Sequence, residues 1–171
     1  MIIITGGAGF IGSNIAIELS KKYKVIICDK IENKLKKKNI SLIKGKRIIK
    51  ISELFKFIEK NRRKVTAVIH MGATTSTAEK NLERLLKNNY FFSLKLFNLC
   101  NLYKIKFIYA SSAATYGNSF ENFNDDNSIE NFLNIHPINY YGLSKHLFDL
   151  YILSLIKSGE KLGSNPIGLK F

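Results

Sequence analysis

The chain has 171 residues, of which 46% are hydrophobic and 12% aromatic, which is typical of a single soluble globular domain covering residues 1–171. No apolar run reaches the roughly 18 residues that a membrane span needs, and the apolar start is too short for a signal peptide, so we expect no membrane partner. The net charge of +14 comes from lysines spread among isoleucines and asparagines, which favours a compositional bias over a nucleic-acid partner.

A glycine-rich turn follows the first strand of the chain. Residues 1–4 are apolar and predict a strand buried on both faces. Glycines recur at three-residue spacing after it, at Gly6, Gly9 and Gly12, and a helix is predicted to begin near Phe10. The N–H groups and the positive dipole end of a helix N-terminus attract phosphates, and glycines let the backbone approach them. The pattern therefore predicts that this turn binds a dinucleotide cofactor.

The second strand, residues 24–29, ends in an acid that bears on the choice of cofactor. An aspartate at this point, here Asp29, typically binds the adenosine ribose hydroxyls, which favours NAD. Lys30 and Lys36 could instead neutralise a 2′-phosphate and admit NADP, or they could be solvated surface residues. The residues alone leave NAD and NADP both open.

Strands and helices alternate along the rest of the chain. Further strands are predicted at residues 47–51, 65–71, 105–111 and 167–171. Helices are predicted at residues 10–22, 52–63, 79–103 and 139–157. In the first of them, Ile11, Ile15 and Leu19 are expected to face the sheet, and Ser52 is expected to be the N-cap of the second. The alternation predicts an α/β fold, a doubly wound parallel sheet in the order 3-2-1-4-5-6 that is cut off at about its sixth strand. Ligands of such sheets bind at the carboxyl ends of the strands.

Polar segments lie where several of these strands end. The loop after the fourth strand, residues 72–81, is small and hydroxyl-rich, so its backbone can lie close to a ligand. Asn88 and Asn89 interrupt the helix that follows, and we interpret them as exposed polar positions. Residues 118–136 are rich in Asn and Asp and predict a loop of a length that is often functional.

The helix over residues 139–157 contains a candidate proton acceptor. Tyr141 and Lys145 are four residues apart and therefore share a helix face. A phenol is a poor base at neutral pH, but a neighbouring ammonium favours the phenolate, which can accept a proton from an alcohol. Ser112, at the end of the fifth strand, could hold the substrate oxygen. We therefore predict that these three residues are catalytic.

The two cysteines, Cys28 and Cys100, lie far apart within apolar segments. They are predicted to be buried thiols of a reducing compartment. Because the chain has no CxxC motif and only three histidines, we expect no metal site.

Together these motifs resemble a known family. TGGAGFIG, the serine at the strand end and YGLSK are similar to the extended short-chain dehydrogenase/reductase superfamily. Within this superfamily, MIIITGGAGFIGSNI, HMGATTSTAEKN, FIYASSAATYG and YYGLSKHLFD resemble the family of ADP-L-glycero-D-manno-heptose 6-epimerases. The resemblance spans essentially the whole chain and is weakest between residues 30 and 64.

The resemblance implies a cytoplasmic, NADP-dependent epimerase that makes the inner-core heptose of lipopolysaccharide. Its substrate would be an ADP-heptose, oxidised transiently at C6″ and reduced again on the other face of the carbonyl. Tyr141 would accept the proton and Ser112 would orient the substrate. The implied cofactor contacts are Phe10, Ile11, Asp29, Lys30, Lys36, Lys50, Met71, Gly72, Ala73, Thr74, Thr75, Asn88 and Lys145.

Family members are considerably longer than this chain, and their further half binds the nucleotide sugar and supplies a second acid/base lysine. We therefore expect an N-terminal fragment that retains the cofactor site and Tyr141 but has little epimerase activity by itself. At full length we expect a homo-oligomer.

Other functions remain open at this point. A related nucleotide-sugar 4-epimerase or dehydratase would prefer UDP-hexoses to ADP-heptose. A non-catalytic NAD(P)-binding module would be indifferent to a Tyr141→Phe substitution. A nucleic-acid-binding protein would show binding that weakens steeply with salt.

Overall fold

The computed structural model describes residues 1–118 and 128–171. Its strands are β1 (Ile2–Thr5), β2 (Val25–Cys28), β3 (Arg47–Ile49), β4 (Ala67–His70), β5 (Lys106–Ser111) and β6 (Pro166–Lys170). They form one sheet in the order β3-β2-β1-β4-β5-β6. The pairs β1–β2, β1–β4, β2–β3 and β4–β5 are parallel. These findings confirm the predicted α/β doubly wound fold and its strand order.

The helices alternate with the strands. They are α1 (Phe10–Ser20), α2 (Lys34–Ser41), α3 (Leu54–Asn61), α4 (Leu82–Leu85), α5 (Phe92–Leu102), α6 (Ile129–Leu133) and α7 (Tyr140–Lys157). Short 3₁₀ segments occupy Ile51–Glu53 and Ala113–Tyr116, and a π-helical segment occupies Leu86–Phe91. Within residues 1–118 and 128–171, none of the helices combines the length and apolar character that crossing a membrane requires.

The chain divides into two compact units. The first comprises Met1–Gly72, Leu99–Tyr109 and Gly163–Asn165, and the second comprises Ala73–Asn98, Ala110–Leu162 and Pro166–Phe171. The glycine-rich turn and Asp29 belong to the first unit. Tyr141, Lys145 and Ser112 belong to the second.

The core of the first unit is built from the strands. Every residue of β1 and β2 is buried, because both strands are runs of apolar, mostly β-branched residues within a sheet. Residues from α1, from α2, from the loop after α2 and from β4 complete this core, namely Ala16, Ile40, Ile43 and Ile69. The predicted burial of both thiols is confirmed, and burial raises the pKa of Cys28 and of Cys100 to about 12.

Aromatic side chains form part of the core of the second unit. Phe97 of α5 and Phe148 of α7 are fully buried. Both contact Tyr151, with ring centroids 6.3 Å and 6.5 Å from it. Tyr151 also donates a hydrogen bond to Asn98 at 3.3 Å. These contacts join α5 to α7.

The predicted sheet-facing residues of α1 are confirmed in part. Ile11, Ile15 and Leu19 are only partly buried, although Ile15 and Leu19 pack against the core. The fully buried positions of this helix are Gly12, Ser13 and Ala16. Small side chains at these positions allow α1 to pack closely, and the larger isoleucines and leucine flank the contact.

The helix α2 was not predicted, because its lysines hide any apolar periodicity. Asn33 caps it, its Oδ1 accepting the Lys36 N–H at 2.9 Å, and Ile40 is its buried residue. The prediction of Ser52 as an N-cap is wrong, because Ser52 lies inside the 3₁₀ segment. There the backbone N–H of Lys50 donates to the Glu53 carboxylate at 3.2 Å.

Two further predicted segments differ from the structure. The long helix predicted over residues 79–103 is divided into α4, the π-helical segment and α5. The loop predicted over residues 118–136 contains α6, capped by Ser128, which accepts the Asn131 N–H at 3.1 Å. Residues 119–127 of that predicted loop lie outside the described residues.

Candidate functional site

The glycine-rich turn joins β1 to the start of α1. Gly6 donates its N–H to the carbonyl of Cys28, and Gly9 donates to Gly6, both at 2.9 Å. Gly9 is the N-cap of α1, so Phe10 and Ile11 begin the helix. The first N–H groups of a helix have no partner within it and carry the positive end of the dipole. This turn can therefore receive an anionic group, as its sequence predicts.

Gly12 allows the turn and the helix to approach each other. A Cβ at this position would lie 2.3 Å from the carbonyl oxygen of Gly6, a distance that no real side chain accommodates. The phenyl ring of Phe10, by contrast, is 82% exposed. The backbone of this segment, rather than its side chains, therefore determines the shape of the candidate phosphate site.

Asp29 follows β2 and uses both carboxylate oxygens. Oδ2 accepts the Ala8 N–H at 2.9 Å, and Oδ1 accepts the Lys30 N–H and the Lys36 ammonium, each at 2.7 Å. From α2, the Asn39 side chain donates to the Ala8 carbonyl at 2.9 Å. The peptide of Ala8 is thus held from both sides, which gives the turn a defined conformation.

Three lysines in this region were predicted to contact the cofactor, namely Lys30, Lys36 and Lys50. Of these, Lys36 is the one whose ammonium binds Asp29. The Lys30 side chain is exposed, with its ammonium 3.8 Å from Glu32. Lys50 is exposed just after β3. Sequence reasoning did not single out Asn39, and only the three-dimensional contact with Ala8 identifies it.

The end of β4 lies beside the end of β1 within the first unit. Met71 donates its N–H to the Thr5 carbonyl at 3.0 Å, and Gly72 donates to the Thr5 hydroxyl at 3.2 Å. The same hydroxyl is hydrogen-bonded to Nδ1 of His70 at 2.6 Å. The predicted cofactor residues Met71 and Gly72 are thus fixed next to the strand that leads into the glycine-rich turn.

In the second unit, Asn89 binds the loop that follows β4. Its Oδ1 accepts the Thr74 N–H at 2.8 Å, and its Nδ2 donates to the Thr74 carbonyl and to the Ser144 hydroxyl, each at 3.0 Å. Ser144 in turn donates to the carbonyl of Tyr141 at 2.7 Å. A chain of hydrogen bonds therefore runs from Thr74 to the backbone of the candidate catalytic tyrosine.

The interpretation of Asn89 as an exposed position is wrong, since its exposed fraction is 1%. Asn88 is exposed, as predicted, and donates to the Thr74 hydroxyl at 3.0 Å. Ala73 is partly buried, and Thr75 is exposed. The four-residue spacing from Leu85 through Asn89 to Ser93, along one helix face, was the signal that could have revealed the buried amide.

Tyr141 and Lys145 lie on the first turns of α7. Asn139 caps this helix by accepting the Gly142 N–H at 2.7 Å. Tyr141 is partly buried, and Lys145 is 3% exposed. Burial lowers the pKa of Lys145 to about 8, and the charge of Asp149 acts in the opposite direction. The lysine is thus a buried amine whose positive charge depends on its neighbours.

Ser112 connects β5 to the 3₁₀ segment Ala113–Tyr116. Its hydroxyl accepts the Ala114 N–H at 3.2 Å, and its carbonyl accepts the Thr115 hydroxyl at 2.8 Å. A Cβ at Gly142 would lie 2.4 Å from the carbonyl oxygen of Ala114. The missing side chain at Gly142 therefore lets this segment lie directly against α7, one residue after Tyr141.

Lys170 of β6 holds the other side of the same 3₁₀ segment. Its ammonium donates to the Thr115 hydroxyl at 3.1 Å and lies 3.9 Å from the ring centroid of Tyr116. It also lies 5.1 Å from the ring centroid of Phe132 in α6. Sequence reasoning did not predict this role for Lys170.

Within the described part of the chain, no group of three or more His, Cys, Asp and Glu side chains could hold a metal ion.

A parallel sheet with a glycine-rich turn between its first strand and helix is the architecture of Rossmann-type folds. A model of the NAD dependent epimerase/dehydratase family matches residues 2–168, and the chain belongs to this family.

The chain is 37% identical over 178 residues to the ADP-L-glycero-D-manno-heptose-6-epimerase of Brachyspira hyodysenteriae, covering 100% of this chain and 54% of that protein. The crystal structure of the Helicobacter pylori ADP-L-glycero-D-manno-heptose-6-epimerase has a TM-score of 0.76 and 30% identity, covering 99% of this chain and 53% of that one. The UDP-N-acetylglucosamine 4-epimerase of Methanobrevibacter ruminantium M1 has a TM-score of 0.81 and 30% identity, with coverages of 99% and 53%.

These findings confirm the resemblance inferred from the motifs. The chain spans about half the length of the curated relatives it matches.

Proposed function

We propose that this chain forms the cofactor-binding and proton-transfer part of an epimerase that inverts C6″ of ADP-D-glycero-D-manno-heptose. The observation that carries the proposal is the pair on α7, a partly buried Tyr141 one helical turn from a buried Lys145. The choice of substrate rests on the similarity to relatives that bear this enzyme's name. The product would be the L-glycero heptose used for the lipopolysaccharide core. The resemblance also supports a cytoplasmic homo-oligomer.

The residues of the first unit fit a nicotinamide dinucleotide. The glycine-rich turn offers helix N–H groups to a pyrophosphate, and a Cβ at Gly12 would close the turn. Asp29 would bind a ribose hydroxyl. When bound, the cofactor would accept a hydride from the substrate carbon and return it to the other face.

Tyr141 would accept the proton of the C6″ hydroxyl as the carbon is oxidised. The Lys145 ammonium would favour the phenolate form of Tyr141 through its charge. Ser112 would hold the substrate oxygen. When the carbonyl is reduced again from its other face, a second acid/base group would return a proton to that oxygen.

We propose NADP as the cofactor, because the Lys36 ammonium already binds Asp29 at 2.7 Å. There it offsets the carboxylate charge that would repel a 2′-phosphate. Lys36→Ala is expected to weaken NADP binding about tenfold or more and to change NAD binding much less, measured by calorimetry. Lys38→Ala is the matched control, since Lys38 is an exposed lysine of the same helix that is not among the predicted cofactor contacts. Equal losses for both cofactors would contradict the proposal.

The experiment that tests the reaction compares wild type with Tyr141→Phe in the protein purified from its natural gene. The wild type is expected to convert ADP-heptose between its two C6″ epimers, followed by NMR. Tyr141→Phe is expected to lower kcat by about 100-fold or more while cofactor affinity is kept, because the phenol touches the reacting oxygen and not the phosphates. Unchanged turnover by this variant would contradict the assigned role.

A second candidate is a UDP-hexose 4-epimerase, which the similarity to the Methanobrevibacter ruminantium M1 enzyme favours. The same NMR assay with UDP-glucose and UDP-N-acetylglucosamine distinguishes the two. If the protein converts UDP-glucose or UDP-N-acetylglucosamine faster than ADP-heptose, its substrate is a UDP-hexose instead.

A further inference from the structure

A buried acid, Asp149, lies near the proposed catalytic residues without a role in the proposed proton transfer. It is 4% exposed and belongs to α7. The hydroxyl of Ser111 donates to its Oδ2 at 2.5 Å. Ser111 is the last residue of β5 and is followed directly by Ser112.

Asp149 also shares a helix face with Lys145. The two residues are four apart on α7, and both are buried, so their side chains lie on the same inward side of the helix. An unpaired charge in such a place destabilises the folded protein, and an opposite charge nearby reduces this effect. An ammonium at Lys145 and a carboxylate at Asp149 would therefore stabilise each other.

We propose that Asp149 is a positioning residue of the epimerase reaction, whose carboxylate, held by the Ser111 hydroxyl, stabilises the buried ammonium of Lys145. This inference rests on the proposed function, because Lys145 acts there on Tyr141. The carboxylate itself touches neither substrate nor cofactor. The charge of Asp149 acts to raise the pKa of Lys145, against the lowering by burial, and so favours the ammonium.

The first test separates the charge of Asp149 from its hydrogen bond. Asp149→Asn keeps a side-chain oxygen that accepts from Ser111 but removes the charge, whereas Ser111→Ala removes the hydrogen bond and keeps the charge. We expect Asp149→Asn to lower kcat at least about tenfold with KM unchanged, and Ser111→Ala to change kcat by less than about threefold. Wild-type kcat in Asp149→Asn, or an equal loss in both variants, would overturn the proposal.

The second test does not depend on turnover. Thermal unfolding is measured for wild type, Asp149→Asn, Lys145→Met and the double variant. Asp149→Asn is expected to lower Tm clearly in the wild-type background and much less in the Lys145→Met background, where no ammonium needs a partner. If Asp149→Asn does not fold, the double variant is still expected to fold. Equal Tm losses in both backgrounds, or failure of the double variant alongside Asp149→Asn, would overturn the proposal.

The two measurements also distinguish this inference from the proposed function. A wild-type protein that shows no epimerase activity would contradict the proposed function. The Tm comparison would then still decide whether Asp149 and Lys145 are coupled.

Discussion

At the scale of single residues, one buried amide connects two segments of the second unit. Asn89 uses both its oxygen and its nitrogen on the backbone of Thr74, and it reaches the Ser144 hydroxyl as well. When a buried polar side chain is removed, the groups that it bound are left without a hydrogen-bond partner. The free-energy cost of leaving them unsatisfied exceeds the net contribution of the hydrogen bonds themselves. Asn89 therefore stabilises the loop after β4 and its connection to α7.

We expect Asn89→Ala to lower the free energy of unfolding by about 2–4 kcal/mol, because the groups of Thr74 and Ser144 lose their partner. Asn88→Ala is the matched control. It removes one exposed hydrogen bond and is expected to cost less than about 1 kcal/mol. Urea denaturation measures both. An equal cost for the two neighbours would show that Asn89 does not hold the loop.

The residues of the candidate site were predictable where a local pattern carries them. Gly12 follows from glycine spacing, and Tyr141 with Lys145 from the four-residue helix repeat. Asn39 and Lys170 were missed because their contacts join segments far apart in sequence. No local pattern encodes a hydrogen bond between Asn39 and the carbonyl of Ala8.

At the scale of elements, the approach of the 3₁₀ segment Ala113–Tyr116 to α7 depends on the absence of a side chain at Gly142. A methyl group there would lie 2.4 Å from the Ala114 carbonyl oxygen, which is backbone and cannot move aside cheaply. Ser112 directly precedes that segment and Tyr141 directly precedes Gly142. The spacing of these two elements therefore affects both candidate catalytic groups.

Gly142→Ala is expected to destabilise the protein by about 1–3 kcal/mol, although alanine is the better helix former, because the clash outweighs that gain. Ser154→Ala on the exposed face of α7 is the control, with an expected change within about 0.5 kcal/mol. Both are measured by thermal unfolding. A stabilised Gly142→Ala would contradict the close approach.

The elements themselves differ in how well the sequence predicts them. β1 and β2 were predicted because unbroken apolar runs mark them, and α7 was predicted over residues 139–157 with Tyr141 and Lys145 on one face. The helix α2 was missed because its stability comes from the Asn33 cap and one buried isoleucine, Ile40, rather than from an apolar face.

At the scale of the whole molecule, the buried apolar strands explain why the sheet and its order were predictable.

The thiols of Cys28 and Cys100 lie in apolar surroundings, which disfavour the thiolate and raise the pKa of each to about 12. Both thiols therefore stay protonated in the folded protein at neutral and mildly alkaline pH.

We expect iodoacetamide at pH 8 to leave both thiols of the native protein almost unmodified over an hour, because they are buried and protonated. The same reagent in concentrated urea is expected to alkylate both, as counted by mass spectrometry. Native labelling as fast as the labelling in urea would contradict the buried core.

The proposed function is the inversion of a sugar carbon by removal and return of a hydride, with Tyr141 as proton acceptor. It is tested most directly by incubating the protein from its natural gene with ADP-D-glycero-D-manno-heptose in D₂O and observing C6″ by NMR. We expect conversion to the L-glycero epimer with the original hydrogen retained at C6″, because a hydride does not exchange with solvent. Deuterium at C6″, or no conversion at all, would contradict it.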